Sequence, residues 1–411
     1  MNTVLYEINE HESFRDDSLK ELKEMKLDFS EEKEKVKFVG LNFNYQANYY
    51  IGIDWLVENQ SAIMVNPKVE KLDYLTMFMH CFHCPEASEH LRKIYHIDFV
   101  KPPIELTTKR FELTPLLIIH FLNTIKALIR SGLKKNFIQT EENLSSKIKG
   151  KLLFTPNFKT NTFKGRDDRA YCRFQEYSID CLENRILKKA LEFVSRWLNK
   201  HYKKKDDFFE TINFCQSAFE FVSDKVDVRN IQHIKTNPLF KEYKEALRLA
   251  NMIFKRFSYS IENTNNVDDN KIPPFWIDMS LLFELYVLSK LKAVYGKVIQ
   301  YQIHGKYGYV DFIDVQNKII IDTKYKLMYG FDEYEIDNIR QLSGYARDKG
   351  VLSKLGIKDE DEQNAAVVDC LIIYPDQGEK QKDNFVDRNL KGNPIEQFTK
   401  FWKIGIKLPE K

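Results

Sequence analysis

Two acidic residues and one lysine near the C-terminal end of this sequence have the types and spacing of a catalytic group. The segment IIIDTKYK places Asp322 and Lys324 two residues apart in an apolar run, and side chains two residues apart on a strand point to the same face. Asp311 lies eleven residues before Asp322, in the strand-like segment GYVDFIDV. A tight connection at Gln316-Asn317 would return it beside Asp322. Because two close carboxylates repel unless a cation lies between them, the spacing predicts two carboxylates and one ammonium at one edge of a small sheet.

This group of side chains indicates a hydrolase that uses a divalent cation. Mg2+ (or Mn2+) takes oxygen ligands and keeps several waters, and a metal-bound water is a good nucleophile. Lys324 would orient that water or stabilise charge on a phosphate. The alternative is an exposed strand edge with a weak Asp–Lys pair. Against it, the run IIID is too apolar for an exposed strand, and a buried acid is costly unless it is compensated.

Three further side chains accompany this group. Glu284 is a lone acid on an apolar face of the helix predicted over residues 277–296. We interpret it either as a third metal or water ligand or as a structural hydrogen-bond partner of the sheet. Gln341 and Tyr345 are four residues apart on the next predicted helix and face the same side. They either contact a DNA backbone or pack beside Lys324.

The elements that must position these residues indicate a mixed α/β domain. After the helix over 277–296, the sequence predicts strands over 308–315 and 318–329, a helix over 333–348, and strands over 367–375 and 401–408. Earlier, residues 36–70 contain short β-branched and aromatic runs, which predict strands. A helix over 72–83 and irregular chain to Pro103 follow, and long helices begin near Thr114, Asp180 and Asn237.

Composition and turn-rich segments suggest three domains in an α/β (mixed α+β) protein. A polar segment at 263–271 is the clearest boundary. We expect an acidic segment and a β-rich domain in residues 1–105, a mostly helical middle region in 106–265, and the catalytic domain in 266–411. Residues 1–35 hold eleven acids and six bases, which we interpret as a solvated helical face.

Basic residues are concentrated in the middle region. Residues 134–173 contain ten bases and four acids, with Asn, Thr and Gly between them. This pattern favours contacts to the phosphate backbone rather than the reading of bases; the alternative is a solvated loop. The candidate DNA-binding residues are Lys149, Lys151, Lys159, Lys164, Arg166 and Arg169.

Composition also excludes several classes of protein. Of 411 residues, 43% are hydrophobic and 30% are charged, which is typical of a globular chain and not of a mainly disordered one. The net charge of +3 excludes a polycation, so any nucleic-acid surface must be local. Six cysteines in so long a chain do not indicate a disulfide framework. The N-terminus lacks signal-peptide features, and the longest apolar stretch is too short to span a membrane, so we expect a cytoplasmic protein.

The cluster HCFHC, residues 80–84, could suggest zinc. A single C-x-x-C without a second pair of ligands is a poor zinc motif. Its Met and Phe neighbours are typical of a core helix.

The catalytic spacing resembles the PD-(D/E)xK nuclease superfamily. The longer segments WIDMSLLFELYV, YVDFID and IIIDTKYK, with the helix that carries Gln341 and Tyr345, resemble McrC, the nuclease subunit of McrBC-type modification-dependent restriction systems. YYIGIDWLVENQSAIMVNPKV, GKLLFTPNFKTN and YCRFQEYSIDCLENRILKKAL are similar to earlier parts of the same family. The resemblance extends from about residue 48 to residue 408 and does not include the first 35 residues. Val310 stands where the superfamily usually has Pro, a residue that ligates nothing, so Asp311 keeps its role; Asp314, the competing acid, has the opposite strand parity.

The resemblance implies a function and partners. It implies a bacterial or archaeal endonuclease subunit in anti-phage defence, with a restriction-endonuclease-like fold over 266–411. Asp311, Asp322 and Glu284 would hold the metal, and the substrate would be double-stranded DNA, methylated or otherwise modified. It also implies a separate AAA+ GTPase of the McrB type, which the domain of residues 1–105 would bind and stimulate. Because loops 44–48 and 58–61 are polar and lie between apolar strands, we expect one of them to make this contact; the alternative is that they are ordinary hairpin turns. The chain has no G-x-x-x-x-G-K-[ST] phosphate loop, so a motor would be another polypeptide.

Two other functions remain open from the sequence. One is a standalone or helicase-linked nuclease of the same superfamily without a GTPase partner. The other is a non-catalytic adaptor that only binds and activates an AAA+ ring. Metal-dependent cutting of DNA by the purified chain distinguishes an enzyme from an adaptor.

Overall fold

The computed structural model describes residues 3–25, 27, 40–98, 101–105, 113–201, 206–226, 241–262, 271–306, 308–326, 335–378, 385, 390 and 392–410. The chain divides into two compact units. The first consists of Met1–Glu112 and Asp269–Lys411, and the second of Leu113–Asp268. Several sheets and helices occur within the described residues, and no sheet closes into a barrel. This architecture confirms the predicted mixed α/β class.

The elements follow one another in three stretches of chain. The first stretch contains β1 (Val4–Asn9), α1 (Asp16–Glu24), β2 (Tyr50–Val57), β3 (Ser61–Asn66), α2 (Tyr74–His83), α3 (Pro85–Ile94), β4 (Tyr95–Ile97) and β5 (Ile104–Glu105). The second contains α4 (Leu113–Ser131), β6 (Asn136–Ser145), β7 (Lys151–Leu152), α5 (Phe154–Thr160), β8 (Arg169–Ser178), α6 (Leu182–His201), α7 (Asp206–Ala218) and α8 (Lys241–Glu262). The third contains β9 (Lys271–Ile272), β10 (Phe275–Asp278), α9 (Met279–Tyr295), β11 (Ile299–His304), β12 (Tyr309–Asp314), β13 (Ile319–Thr323), α10 (Ile336–Tyr345), α11 (Lys349–Lys354), α12 (Glu360–Ala365), β14 (Asp369–Pro375), β15 (Asn393–Pro394) and β16 (Phe401–Ile406).

The N-terminal sheet takes a strand from the third stretch of chain. Its order is β1-β3-β2-β10-β4, so β10 lies between β2 and β4. Gly52 on β2 allows this pairing, because a Cβ there would lie 2.1 Å from the carbonyl oxygen of Phe275, and its φ is +144°. Residues 1–105 therefore do not contain the whole sheet.

The C-terminal sheet carries the predicted catalytic residues. Its six strands have the order β11-β12-β13-β14-β16-β15. β11, β12 and β13 pair antiparallel, whereas β13, β14 and β16 are parallel. Ile319, Ile320 and Ile321 on β13 are buried, as expected for a strand in the middle of a covered sheet.

Helix α9 joins the two sheets of this unit. It packs against α2 and α3 and contacts β2, β11 and β13. Asp278 begins the helix by accepting a hydrogen bond from Leu281 N at 2.9 Å. Gly296 ends it with φ +61° and ψ −130°, a conformation that glycine adopts without a Cβ clash. The predicted apolar helix is present, and its position explains why it is buried nearly all round.

The second unit combines a helical bundle with a small sheet. α4 packs on α7 and α8, and α6 also packs on α7 and α8. The sheet has the order β6-β8-β7 and a small core of Leu144, Cys172 and Phe174. Strands β6 and β7 and the first part of β8 contain part of the basic segment predicted over 134–173, and α5 and the connecting chain contain the rest.

Two local predictions are wrong. Residues 85–97, predicted as irregular chain, form α3 and β4; Pro85 at the first helical turn begins α3, and that helix buries only a narrow apolar stripe. The acidic start is not simply a solvated helical face, because Val4–Asn9 forms a strand parallel to β3. The alternating apolar residues Tyr6 and Ile8 are buried there.

Two expected absences can be compared with the described part of the chain. Within it, no helix is both long and apolar enough to cross a bilayer. In the HCFHC cluster, Cys81 and Cys84 are buried, whereas His80 and His83 are exposed. The four side chains therefore do not share one environment.

The predicted boundary at 263–271 lies almost wholly outside the described residues.

Candidate active site

The β12–β13 hairpin brings the two predicted aspartates together. Phe312 pairs with Ile321 and Ile313 with Ile320. Continued by one residue, this register places Asp311 opposite Asp322 on adjacent strands. The hairpin turn, closed by hydrogen bonds from Asn317 to Asp314, sets this register.

Asp322 and Lys324 form an ion pair at the end of β13. Lys324 Nζ lies 2.7 Å from Asp322 Oδ2, and the side chains are 18% and 4% exposed. Within the described part of the chain, Oδ2 is enclosed and has no well-directed hydrogen bond, so the ammonium alone compensates its charge. Burial, and then the neighbouring Asp311, raise the pKa of Asp322 to about 7, although Lys324 acts in the opposite direction.

Asp311 is held by the residue between Asp322 and Lys324. Its Oδ2 accepts hydrogen bonds from Thr323 N at 2.7 Å and from Thr323 Oγ1 at 2.6 Å. Burial raises the pKa of Asp311, and the Thr323 bonds lower it. Strand alternation would place Thr323 on the other face, but β13 ends at this residue, so its hydroxyl reaches Asp311.

Asp314 has a different environment from Asp311. It is fully buried and accepts hydrogen bonds from Asn317 N at 3.0 Å and from Asn317 Nδ2 at 2.8 Å. These contacts close the hairpin turn, where an Asp commonly bonds the backbone of the turn. The structure thus gives Asp314 a structural partner and leaves Asp311 beside Asp322.

Glu284 approaches the two aspartates from α9. It accepts hydrogen bonds from Tyr301 and Gln302 on β11. Burial is the main cause that raises the pKa of Glu284 to about 8, followed by the charge of Asp311 and, more weakly, that of Asp322. Glu284 is therefore part of the same acidic cluster. It is also hydrogen-bonded to the sheet, so the structure is compatible with both interpretations of this residue.

Gln341 and Tyr345 lie beside Lys324. Lys324 Nζ donates a hydrogen bond to Gln341 Oε1 at 3.0 Å, and Gln341 Nε2 donates to Tyr345 Oη at 3.3 Å. Tyr345 packs closely against Gly308, where a Cβ would lie 3.0 Å from the tyrosine hydroxyl. Helix α10 therefore binds the ammonium of Lys324 through Gln341 and contacts Gly308, the residue before β12, through Tyr345.

The cluster fits a divalent cation that keeps part of its water. Among the described residues, no set of three or more Asp, Glu, His or Cys side chains is placed to hold a metal directly. Nevertheless, the enclosed Oδ2 of Asp322 has Lys324 Nζ at 2.7 Å, Asp311 raises the pKa of Asp322, and both aspartates raise the pKa of Glu284. Mg2+ commonly binds through one or two carboxylates and several waters. The residues present therefore match two direct carboxylate ligands better than three.

Two of the candidate DNA-binding residues, Lys151 and Arg169, lie on strands of the small sheet of the second unit, and the other four lie on α5 and in the chain that connects the strands. All six belong to a segment, residues 146–169, that has seven bases, two acids and a net charge of +5. Lys151, Lys159, Lys164, Arg166 and Arg169 are exposed, as is Lys149, which lies over the ring of Phe174 at 4.1 Å. Two weak ion pairs, Lys149–Glu176 and Arg169–Asp168, are both 3.9 Å long. As far as the described residues show, the positive charge at this surface is therefore largely uncompensated.

Exposed aromatic side chains accompany this charge. Phe154, Phe158 and Phe163 are 78%, 59% and 79% exposed. The backbone that carries them is well fixed, since buried Asn161 exchanges hydrogen bonds with Asn143 at 2.9 and 2.7 Å. Exposed apolar groups on an ordered scaffold commonly mark an interaction site. We name Phe154, Phe158, Phe163 and the six basic residues the aromatic–basic surface.

Sequence reasoning missed several residues of the candidate site. Tyr301 and Gln302 hold Glu284, and Thr323 holds Asp311. Thr323 could have been noticed as a hydroxyl between Asp322 and Lys324. The contact of Tyr301 with Glu284 has no local signature, because it depends on how α9 packs on β11.

Comparison with known proteins places the chain in a family. Residues 45–347 match the family model described as McrBC 5-methylcytosine restriction system component. The chain belongs to this family. No curated protein matches this McrBC-family chain.

Two solved structures are similar to this McrBC-family chain at low identity. One is a refined half-complex from a tetradecameric assembly of Thermococcus gammatolerans McrB AAA+ hexamers with bound McrC; it has 14% identity and a TM-score of 0.37, over 98% of this chain and 94% of that one. The other is the cryo-EM structure of the Thermococcus gammatolerans McrBC complex, with 15% identity and a TM-score of 0.31, over 70% of this chain and 87% of that one.

The acidic cluster predicts a pH-dependent stability that involves Glu284. The folded protein binds this proton more tightly than the unfolded chain, since the pKa rises from 4.5 to about 8. The resulting stability is fully present below about pH 4.5 and is lost as the pH rises through about 8. In metal-free buffer, Glu284→Gln should therefore gain on the order of 2 kcal/mol relative to wild type between pH 5 and pH 8.

Urea unfolding with EDTA at both pH values measures this difference. Glu86→Gln is the control. Glu86 on α3 is half-exposed and pairs with Lys292 on α9, the helix that also carries Glu284. Parallel stability curves for Glu284→Gln and wild type would show that Glu284 is not buried against the two aspartates.

Proposed function

We propose that this chain is the metal-dependent endonuclease subunit of an McrBC-type restriction system. The observation that carries the proposal is the buried Asp322–Lys324 ion pair with Asp311 and Glu284 beside it. Carboxylates whose pKa values are raised by burial and by neighbouring charges, and that lie around a lysine, are typical of catalytic sites. The membership in a 5-methylcytosine restriction family is consistent with hydrolysis of DNA phosphodiester bonds.

Each residue of the site has a proposed role. Asp311 and Asp322 would hold a Mg2+ (or Mn2+) ion, with Glu284 reaching it through water. When bound, the ion supplies electrostatic stabilisation of the phosphate and a more acidic water. Lys324 orients the attacking water or stabilises the charge that develops on the phosphate. Gln341 fixes the Lys324 ammonium, and Tyr345 supports Gln341.

We expect that Asp311→Asn, Asp322→Asn and Lys324→Ala each lower the rate of DNA cleavage by about 100-fold or more. Each change removes a metal ligand or the cation beside the scissile phosphate. Asp314→Asn should retain activity within a few fold, because the Asp314 carboxylate accepts hydrogen bonds from Asn317 in the hairpin turn. The measurement is single-turnover cleavage of modified DNA with Mg2+, an AAA+ GTPase of the McrB type and GTP, with EDTA as the metal-free arm.

Each outcome of this experiment decides between functions. If Asp314→Asn is inactive and Asp311→Asn is active, the assignment of the first ligand is wrong. Cleavage by wild type without GTPase or GTP would favour the standalone nuclease. Stimulated GTP hydrolysis without any cleavage would favour the adaptor.

The aromatic–basic surface supports a proposal for DNA contact. Its lysines and arginines would bind phosphates, and its exposed phenylalanines would contact sugars or unstacked bases. Phosphate contacts release counterions, and aromatic contacts do not. The two kinds of contact therefore differ in their dependence on salt.

We expect Lys159→Ala combined with Lys164→Ala and Arg166→Ala to weaken DNA binding and to reduce the slope of log K against log salt by about two to three. Phe158→Ala with Phe163→Ala should weaken binding without changing the slope. Fluorescence anisotropy from 50 to 300 mM salt measures both effects. A triple variant on α6, Lys189→Ala with Arg196→Ala and Lys200→Ala, is the control. If this control lowers the slope as much, binding is not local to the aromatic–basic surface.

A loop of the N-terminal sheet is the proposed contact with the AAA+ partner. Residues 42–48 include the predicted loop 44–48, and Asn42 Oδ1 accepts hydrogen bonds from Asn44 N at 2.9 Å and from Gln46 N at 3.1 Å. On this ordered loop Phe43 is 71% exposed. The second predicted loop, 58–61, is the tight β2–β3 turn. Ordered loops with an exposed aromatic residue are typical binding elements.

We expect Phe43→Ala to weaken binding to an McrB-type GTPase about tenfold and to lower GTPase stimulation accordingly. Phe221→Ala is the matched control, because Phe221 is 80% exposed and lies in the second unit. The full chain is used, since a fragment that ends at residue 265 would lack β10 of the N-terminal sheet. Equal loss of binding for both variants, or no loss for Phe43→Ala, would contradict the assignment. Pull-down and GTP turnover are the two measurements.

A further inference from the structure

A buried glutamate lies at the end of the first strand. Glu10 follows β1 and is 2% exposed, although it belongs to the acidic segment that the family model does not include. A buried carboxylate is costly unless it has partners. Its surroundings therefore indicate what the glutamate does.

Lys68 and Tyr325 provide those partners. Glu10 Oε2 accepts hydrogen bonds from Lys68 N at 3.0 Å and from Tyr325 Oη at 3.2 Å. Lys68 Nζ donates to the carbonyl oxygen of Tyr325 at 2.5 Å and lies 3.6 Å from the centre of the tyrosine ring. Both ends of Tyr325, its hydroxyl and its carbonyl group, are thus bound by residues near the N-terminus. Glu10, Lys68 and Tyr325 are named the N-terminal clamp.

Tyr325 is the residue after the catalytic lysine. Lys324 N donates to Ile373 O on β14 at 2.8 Å, and Lys326 N donates to Lys324 O at 2.8 Å. β13 has already ended at Thr323, so regular strand pairing no longer fixes the chain after Lys324. The clamp supplies that restraint from the other side.

We propose that the N-terminal clamp positions Lys324 for catalysis, so that Glu10, Lys68 and Tyr325 are positioning residues of the nuclease site. The proposal rests on the proposed nuclease function. A displacement of about 1 Å in a catalytic group can cost about 100-fold in rate. The main chain of Lys324 is restrained on one side by its hydrogen bond to Ile373 and on the other by the clamp, which binds the next residue, Tyr325. Gln341 holds the Lys324 ammonium.

The clamp is continuous with the proposed partner-contact loop. His11 N donates to Ala47 O at 3.1 Å, and Ala47 N donates to Glu12 O at 2.9 Å. Gln46 Nε2 donates to His11 O at 3.0 Å. Loop 42–48 is thus hydrogen-bonded to the two residues that follow Glu10. Direct contacts run from this loop through Glu10 and Tyr325 to Lys324.

The test uses substitutions that remove one hydrogen bond and keep the shape of the side chain. Tyr325→Phe removes the hydroxyl that donates to Glu10, and Glu10→Gln removes the charge that attracts it. Each should lower the single-turnover cleavage rate 10- to 100-fold with unchanged DNA affinity. The double variant should lose no more than the larger single loss, because both changes act through one bond.

Tyr6→Phe is the matched control. Tyr6 Oη donates to Glu21 Oε2 at 2.7 Å in the same N-terminal region, so this variant loses a comparable hydrogen bond. It should show a similar change in melting temperature and a wild-type cleavage rate. If Tyr6→Phe loses as much activity as Tyr325→Phe, the clamp effect is general destabilisation and the proposal is wrong.

A second measurement does not depend on cleavage. Hydrogen exchange of the Lys324 and Lys326 amides should become about tenfold faster in Glu10→Gln and Tyr325→Phe, and should not change in Tyr6→Phe. Unchanged exchange in the two clamp variants would overturn the proposal. If exchange is faster in the two clamp variants but the wild-type protein cuts no DNA, the clamp contacts are supported and the proposed nuclease function is contradicted.

Discussion

The burial of like charges at the end of β13 is the constraint on which the site depends. Asp311 raises the pKa of Asp322, both aspartates raise the pKa of Glu284, and one ammonium, that of Lys324, pairs with an enclosed carboxylate oxygen. Such an arrangement is unfavourable in isolation, because buried charges lose hydration that a single ion pair only partly replaces. It persists because three elements supply hydrogen bonds: β11 to Glu284, the end of β13 to Asp311, and α10 to Lys324.

The same constraint explains the position of α9. A helix that brings an acid to two aspartates must be held firmly, and α9 is buried against α2 and α3 as well as against both sheets of its unit. The strand β10 runs directly into this helix and is itself inserted between β2 and β4. The N-terminal sheet therefore fixes the start of the helix that carries Glu284. A change in that sheet would be transmitted through covalent continuity, without any flexible linker.

The sequence predicts the local part of this site well and the long-range part poorly. Asp311 beside Asp322, and Asp314 turned towards the hairpin, follow from strand alternation and a short turn, which are properties of adjacent residues. The pairing of Phe275 with Ile53 has no such signature, because it joins segments more than 200 residues apart. The burial of Glu10 was equally hidden, since a run of acids is usually a solvated face. Its contact with Tyr325, 315 residues later in the chain, has no local signature.

Burial and charge also link the residue that follows the N-terminal strand, Glu10, to the neighbourhood of Lys324. Burial raises the pKa of Glu10 to about 7 and lowers that of Lys68 to about 8, so each charge is costly without the other. A hydrophobic pair of similar size would be cheaper for stability alone. Residues that serve function are commonly retained against such a cost. Here the pair gives something that apolar side chains cannot: directed hydrogen bonds to both polar groups of Tyr325, the neighbour of Lys324. The buried carboxylate of Glu10 and the nearby charge of Lys68 thus meet a geometric requirement of the proposed clamp.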